Sequence, residues 1–212
     1  MGKVFFDMVM SLDGFIAPEG MDMDHANDPE YKQWLKKWME LQGWVSKQKF
    51  FRENLKLGEG GETGADNHLV EETFKRTGVS IMGGNIFAGG EKFWPEEAPF
   101  HTPVFVLTHK ICEPWKRPGG TTFYFLNDGI KSALKQAKTV AKNRDVRIAG
   151  GANVVQQYLN AGLIDEFTVH YSPVFFGSGI PLFLNIKDSV KVKIKNTIVS
   201  TYVTHVTYEI EK

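Results

Sequence analysis

The 212-residue chain predicts an α/β fold, a mainly parallel sheet covered by helices, and three observations predict it. Short apolar, β-branched runs bounded by Gly, Pro, Asn or Asp recur along the chain; stretches with helical spacing lie between several of them; two alternating runs close it. Strands separated by helices pair in parallel, because a parallel connection needs a crossover long enough to hold a helix. With 42% hydrophobic residues the chain is long enough for one packed core and short of what two need, so residues 1–212 are expected to form a single domain.

In chain order, the apolar run at Lys3–Met10 is the first expected strand. Its exit, Ser11-Leu12-Asp13-Gly14-Phe15-Ile16-Ala17, mixes a carboxylate, a glycine and apolar side chains and reads as the edge of a pocket. There Asp13 either binds a hydroxyl or amino group of a ligand or caps the turn beside Gly14, and spacing alone favours the cap. A helix is expected over Asp28–Leu41, with Tyr31, Trp34, Leu35 and Trp38 on one face. Those rings either stack on a planar heterocycle or, the stronger reading, fill core. Gly58–Asn67, reading GEGGETGADN, holds too many glycines for a regular element and is expected to lie as a loop over one end of the sheet.

A second helix is expected over Asp66–Arg76, a strand over Val79–Gly83 ending in Met82-Gly83-Gly84-Asn85-Ile86-Phe87, and a strand over Pro103–Thr108 leading into His109-Lys110. After the strand Thr122–Leu126 comes a helix over Ile130–Lys142, N-capped by Asn127 or Asp128, with its lysines in water. The strand Val146–Ala149 runs into Gly150-Gly151-Ala152-Asn153-Val154 and a helix over Asn153–Ala161; the strand Glu166–Phe175 follows. Val190–Lys195 alternates strictly and Thr201–Ile210 less so, giving two half-exposed antiparallel strands whose outward lysines discourage edge pairing.

The strongest chemical signal is the junction at Gly150-Gly151. A strand ending in two glycines at a helix start aims unpaired backbone N–H groups and the positive end of the helix dipole at one spot, which suits a phosphate. It is not the Gly-x-Gly-x-x-Gly fingerprint, and a merely tight turn fits as well when the motif is taken alone. Ligands of open parallel sheets bind beyond the carboxyl ends of the strands, and the ends at Gly83 and Thr108 share that rim.

Other classes fall away. Lys plus Arg and Asp plus Glu both number 25, so no overall field draws the chain to nucleic acid or an anionic membrane. The six histidines are scattered and cysteine occurs once, at Cys112, so no metal site is expected; nor is there a Gly-x-Ser-x-Gly elbow or a phosphate-binding Walker loop. Cys112 reads as a packed or surface thiol in a reducing compartment. The chain opens into its first strand without a charged leader and holds no run near the ~18 apolar residues of a membrane span, so a cytoplasmic location is expected.

Taken together, Ser11–Ala17, Met82-Gly83, Val104–His109, Gly150–Asn153 followed by Gly162–Glu166, and Pro173–Phe183 resemble the dihydrofolate reductase-like family, in particular the reductase domain of the bifunctional riboflavin-biosynthesis deaminase-reductase. The resemblance spans nearly the whole chain. It implies a three-layer fold with an eight-stranded mixed sheet, NADPH as hydride donor and a homodimer. The implied activity is reduction of a pterin- or pyrimidine-like substrate, of the kind 5-amino-6-(5-phosphoribosylamino)uracil reductase performs. A non-catalytic NADP-binding module on the same fold is the alternative. It further implies that Ala17, Gly83, Gly84, Asn85, Ile86, Phe87, Thr108, His109, Gly150, Gly151, Ala152, Asn153 and Val154 line the cofactor. Asp13 would serve catalysis, with Ser11, Asp13, Asp28 and Glu30 toward the substrate. Where the family carries an arginine after the first glycine of the second turn, this chain has Gly84.

Overall fold

Strands that alternate with helices must cross over to pair, and the computed structural model, which describes residues 2–19, 29–110 and 112–211, shows where those crossovers go. The elements, in order, are β1 (Val4–Ser11), β2 (Phe15–Ala17), α1 (Pro29–Leu41), α2 (Lys49–Asn54), α3 (Ala65–Arg76), β3 (Thr77–Gly83), α4 (Gly84–Glu91), β4 (Pro103–Leu107), β5 (Trp115–Lys116), β6 (Thr122–Leu126), α5 (Ile130–Ala141), β7 (Asp145–Ile148), α6 (Ala152–Asn160), β8 (Glu166–Ser172), β9 (Ile180–Pro181), β10 (Val192–Val199) and β11 (Thr204–Ile210). The main sheet runs β10-β11-β8-β1-β7-β3-β4-β6-β5. From β8 to β6 all neighbours are parallel, while β11, β10 and β5 pair antiparallel. Nine strands stand where eight were expected, and β2 and β9 form a separate two-stranded sheet. Among the described residues no helix is long and apolar enough to cross a membrane.

The two faces of the sheet differ. Under α5 and α6, Phe6, Ile81, Ile148, Leu134, Ala137, Val155 and Tyr158 make an apolar core, and the Tyr158 hydroxyl donates to the Ile130 carbonyl at 2.8 Å. On the other face, α4 closes an aromatic cluster of Phe87, Trp94, Trp115 and Phe123, with Trp94 and Phe123 stacked at 5.4 Å. Beside it α3 covers a stripe of charge. Asp7 on β1 takes two hydrogen bonds from Arg147 on β7, at 2.6 and 3.0 Å. The Nδ1 atoms of His170 on β8 and His205 on β11 face each other at 2.7 Å, and His205 Nε2 reaches Asp66 on α3 at 3.0 Å. Trp44 lies against both imidazoles. Burial and the neighbouring His170 push the His205 imidazole below its ordinary value against the pull of Asp66. Burial pushes the Asp7 carboxyl up, but Arg147 and His170 outweigh it and hold it low.

Several expected boundaries move for local reasons. Gly129, at φ +87°, takes the N-cap position of α5 rather than Asn127 or Asp128; the Asp128 carboxylate instead accepts from Ser132 and Gln136. β8 ends at Ser172 rather than Phe175, because Pro173 has no N–H for the ladder and the Val174 N–H turns back to the Ser172 carbonyl. β10 is exposed on both faces, with Ile194 66% accessible, not half-buried as its alternation suggested. The glycine-rich loop is pinned: Glu62 exchanges backbone hydrogen bonds with Lys47 and Lys49, and its carboxylate accepts from the Tyr202 hydroxyl at 2.8 Å.

Candidate active site

Two glycine corners lie side by side at the carboxyl rim. β3 ends at Gly83 and α4 begins at Gly84; β7 ends at Ile148 and α6 begins at Ala152 after Gly150-Gly151, a peptide that is cis. The Gly83 N–H donates to the Gly150 carbonyl at 2.9 Å, and the Ala149 N–H to Ile81 at 2.7 Å. Neither helix start has a side-chain cap or an acidic residue in its first turn. The first amides of a helix have no partner within it, so α4 and α6 together present two sets of N–H donors and two positive dipole ends.

The close approach explains the glycines. A Cβ on Gly83 would meet Val154 Cγ2 at 3.2 Å, and one on Gly150, whose φ is +106°, would meet the Met8 thioether at 3.5 Å. A Cβ on Gly84 would sit in ordinary contact with Thr108, at 3.4 Å. Thr108 opens the third strand end; its hydroxyl accepts from the Lys110 N–H at 3.2 Å, and His109 and Lys110 are exposed. The structure thus brings together Gly83, Gly84, Ile86, Thr108, Gly150, Gly151 and Val154, with Asn85, Ala152 and Asn153 in the adjoining helix starts. Phe87 is different: its ring packs on Trp94, Trp115, Phe123 and Phe125, so only its backbone is available to a ligand. Ala17 belongs to a cluster with Tyr31 and Trp34, whose rings stack at 5.4 Å as core.

At the end of β1 the turn is held by Asp13. Its carboxylate accepts from the Ser11 hydroxyl at 2.5 Å, from the Phe176 N–H at 3.0 Å and from the Gly177 N–H at 2.7 Å. Burial pushes the carboxyl up, but the Ser11 hydroxyl and these two amides outweigh it and hold it below the usual carboxylate range. Asp13 is therefore a charged clamp between the β1–β2 turn and the β8–β9 loop, an acceptor rather than a proton donor. Ser11, expected to touch substrate, is fully buried, and its hydroxyl is committed to Asp13 and to the Phe15 N–H. Asp28 lies outside the described residues, and Glu30 belongs to α1 with its side chain outside the description.

Sequence reasoning missed α4, because an eight-residue helix containing three glycines carries no apolar period to find. It also missed the β2–β9 pair, in which Phe15 faces Pro181 and Ala17 faces Ile180. Among the described residues no group of three or more His, Cys, Asp or Glu is arranged to hold a metal.

Comparison with known proteins covers this geometry from end to end. Residues 2–207 match the family of the RibD C-terminal domain. The uncharacterized protein YyaP of Bacillus subtilis is 37% identical over 75 residues, which is 34% of this chain and 38% of that protein, so the match spans well under two thirds of its length. In fold, the chain is similar to a putative riboflavin biosynthesis protein from Shewanella sp. PV-4, with a TM-score of 0.68, 19% identity and 99% of each chain covered. It is also similar to dihydrofolate reductase from Enterococcus faecalis complexed with NADP(H), with a TM-score of 0.56, 16% identity and coverage of 100% and 98%.

Proposed function

Because the chain belongs to the RibD C-terminal domain family, we propose that it is an NADPH-dependent reductase of a small pyrimidine- or pterin-like molecule, working as a single domain in a homodimer. The observation that carries this reading is the bond from Gly83 to Gly150, which sets two uncapped helix starts on one ledge beside the Asp13 turn. That ledge fits a dinucleotide. The glycines leave open a cradle that a Cβ would fill, and no carboxylate stands in either first turn to repel a phosphate.

In this reading the amides of Gly84–Ile86 and Ala152–Val154 hold the pyrophosphate, while Thr108, His109 and Lys110 meet the 2′-phosphate that distinguishes NADPH from NADH. Bound there, the nicotinamide supplies a hydride. What the protein contributes is alignment and exclusion of water. Asp13 acts as a positioning residue: its clamp fixes the β1–β2 turn against the β8–β9 loop and so sets the floor on which the substrate rests. Its low carboxyl makes it a poor proton source. The absence of a side chain at Gly84 favours one rival, a module that binds the nucleotide without turning it over.

Titration of the protein with NADPH and, separately, NADH tests the reading, followed by tryptophan fluorescence and thermal stabilisation. Micromolar binding of NADPH with NADH at least tenfold weaker, about 1.4 kcal/mol, is expected. Failure to bind either overturns it.

A further inference from the structure

The carboxyl rim changes character at β1. On the β7, β3 and β4 side it offers helix starts, His109 and Lys110, all suited to anions. On the β1 and β8 side the described residues of the strand exits supply no lysine or arginine. Between Lys3 and Lys32 the sequence has not one Lys or Arg, although it has seven acidic residues, Asp7, Asp13, Glu19, Asp22, Asp24, Asp28 and Glu30; between Arg147 and Lys187 it again has none. These stretches contain the β1–β2 turn and the β8–β9 loop that Asp13 ties together.

What this side exposes is apolar. Leu12 is 52% and Phe175 73% accessible. Both are held in place, because the Leu12 N–H donates to the Val174 carbonyl at 2.9 Å and the next two amides, of Phe176 and Gly177, bind Asp13. Several cations from elsewhere in the fold are engaged or turned away. Arg147 is paired to Asp7, and the Lys47 ammonium sits 3.6 Å over the Tyr202 ring. Lys32 and Lys36 are exposed on the side of α1 opposite Tyr31 and Trp34. Lys110 follows β4, three strand spacings or about 14 Å from β1.

A phosphate needs ammonium, guanidinium or free N–H partners, and one set beside Leu12, Phe175 and Asp13 would meet two apolar side chains and a like charge instead. From this we infer that the substrate is an uncharged, unphosphorylated compound that rests its apolar part on the Leu12–Phe175 lip, and that a sugar phosphate is not accepted there. The inference rests on the reductase reading and narrows its substrate class.

Ribose 5-phosphate is the probe, titrated calorimetrically into protein saturated with NADP⁺ so that the cofactor ledge is filled. The wild type is expected to show no heat of binding up to about 10 mM, while Phe175→Arg, a change at an exposed position, gains binding at about 1 mM or tighter. Wild-type binding below about 1 mM that Phe175→Glu weakens tenfold overturns the inference, because it locates a phosphate on the lip. Should NADP⁺ itself fail to bind, the reductase reading falls separately, and the same titration of cofactor-free protein still reads the lip through its sensitivity to Phe175→Glu.

Discussion

Where β3 and β7 leave the sheet, the chain is built from glycines and bare backbone; one strand over, where β1, β8 and β11 lie side by side, it is built from paired polar and charged side chains. The first region is shaped by what must be absent, since a Cβ at Gly83 would crowd Val154 and Gly150 holds a φ of +106° that side chains rarely adopt. The second is shaped by what must be present in pairs: Asp7 with Arg147, His170 with His205, His205 with Asp66. A glycine corner leaves backbone donors for a ligand. A buried hydrogen-bonded network spends its donors and acceptors on itself. With the ledge read as the proposed cofactor site, one sheet divides recognition and structural specificity between adjacent strands.

The contrast breaks most visibly at Asp7. Asp7→Ala strands the Arg147 guanidinium, only 17% accessible, and is expected to cost about 3–5 kcal/mol in urea unfolding. Replacing the pair together, Asp7→Leu with Arg147→Met, should recover most of that loss; no recovery would mean the pair does more than neutralise itself.

On the glycine side, Gly150→Ala forces an L residue to φ +106°, expected to cost about 1–3 kcal/mol and to weaken NADPH at least tenfold. Gly58→Ala, at φ +114° in the pinned loop, carries a comparable backbone penalty and should leave NADPH affinity unchanged. Equal loss of cofactor in both variants would show that the corner acts through stability alone.

Acid sharpens the comparison from the charged side. At the amino end of β8, burial pushes the Glu166 carboxyl up, but Lys195, Lys3 and Arg76 outweigh it and bring it to about 2. A carboxyl lower in the folded than in the unfolded chain binds its proton more readily when unfolded. Its contribution is therefore complete above pH 4.5 and lost as pH falls toward 2. Urea midpoints should decline through that window, and Glu166→Gln should flatten the decline.

The smallest effect is expected at Gly84→Arg. A Cβ there makes only ordinary contact with Thr108, so stability should move by under about 0.5 kcal/mol, while the added guanidinium should tighten NADPH about threefold to tenfold.

These two regions also differ in how far they could be read from residues alone. Gly83-Gly84 and Gly150-Gly151 follow β-branched runs, and a local backbone requirement leaves a local mark; the two glycine corners and the mainly parallel sheet were legible for that reason. Asp7, Asp66, Arg147, His170 and His205 carry no such mark. Each looks like a polar residue in a strand or helix start, and their meaning lies in contacts spanning up to 140 positions. Asp13 stood between the two: a turn cap was foreseeable from Gly14, but not that its partners would be the amides of Phe176 and Gly177.

The position of β1 has a consequence for synthesis. It leaves the ribosome before every other strand of its sheet, yet its neighbours are β7 and β8, with Val4 beside Val146 and Phe5 beside Glu166. At about 5–20 residues per second, the run Val4-Phe5-Phe6 waits roughly 10–30 s before either partner exists. During that interval its edges are open to any other extended chain. A strand that ends inside the finished sheet, paired on both edges, is thus the one that waits longest unpaired during synthesis.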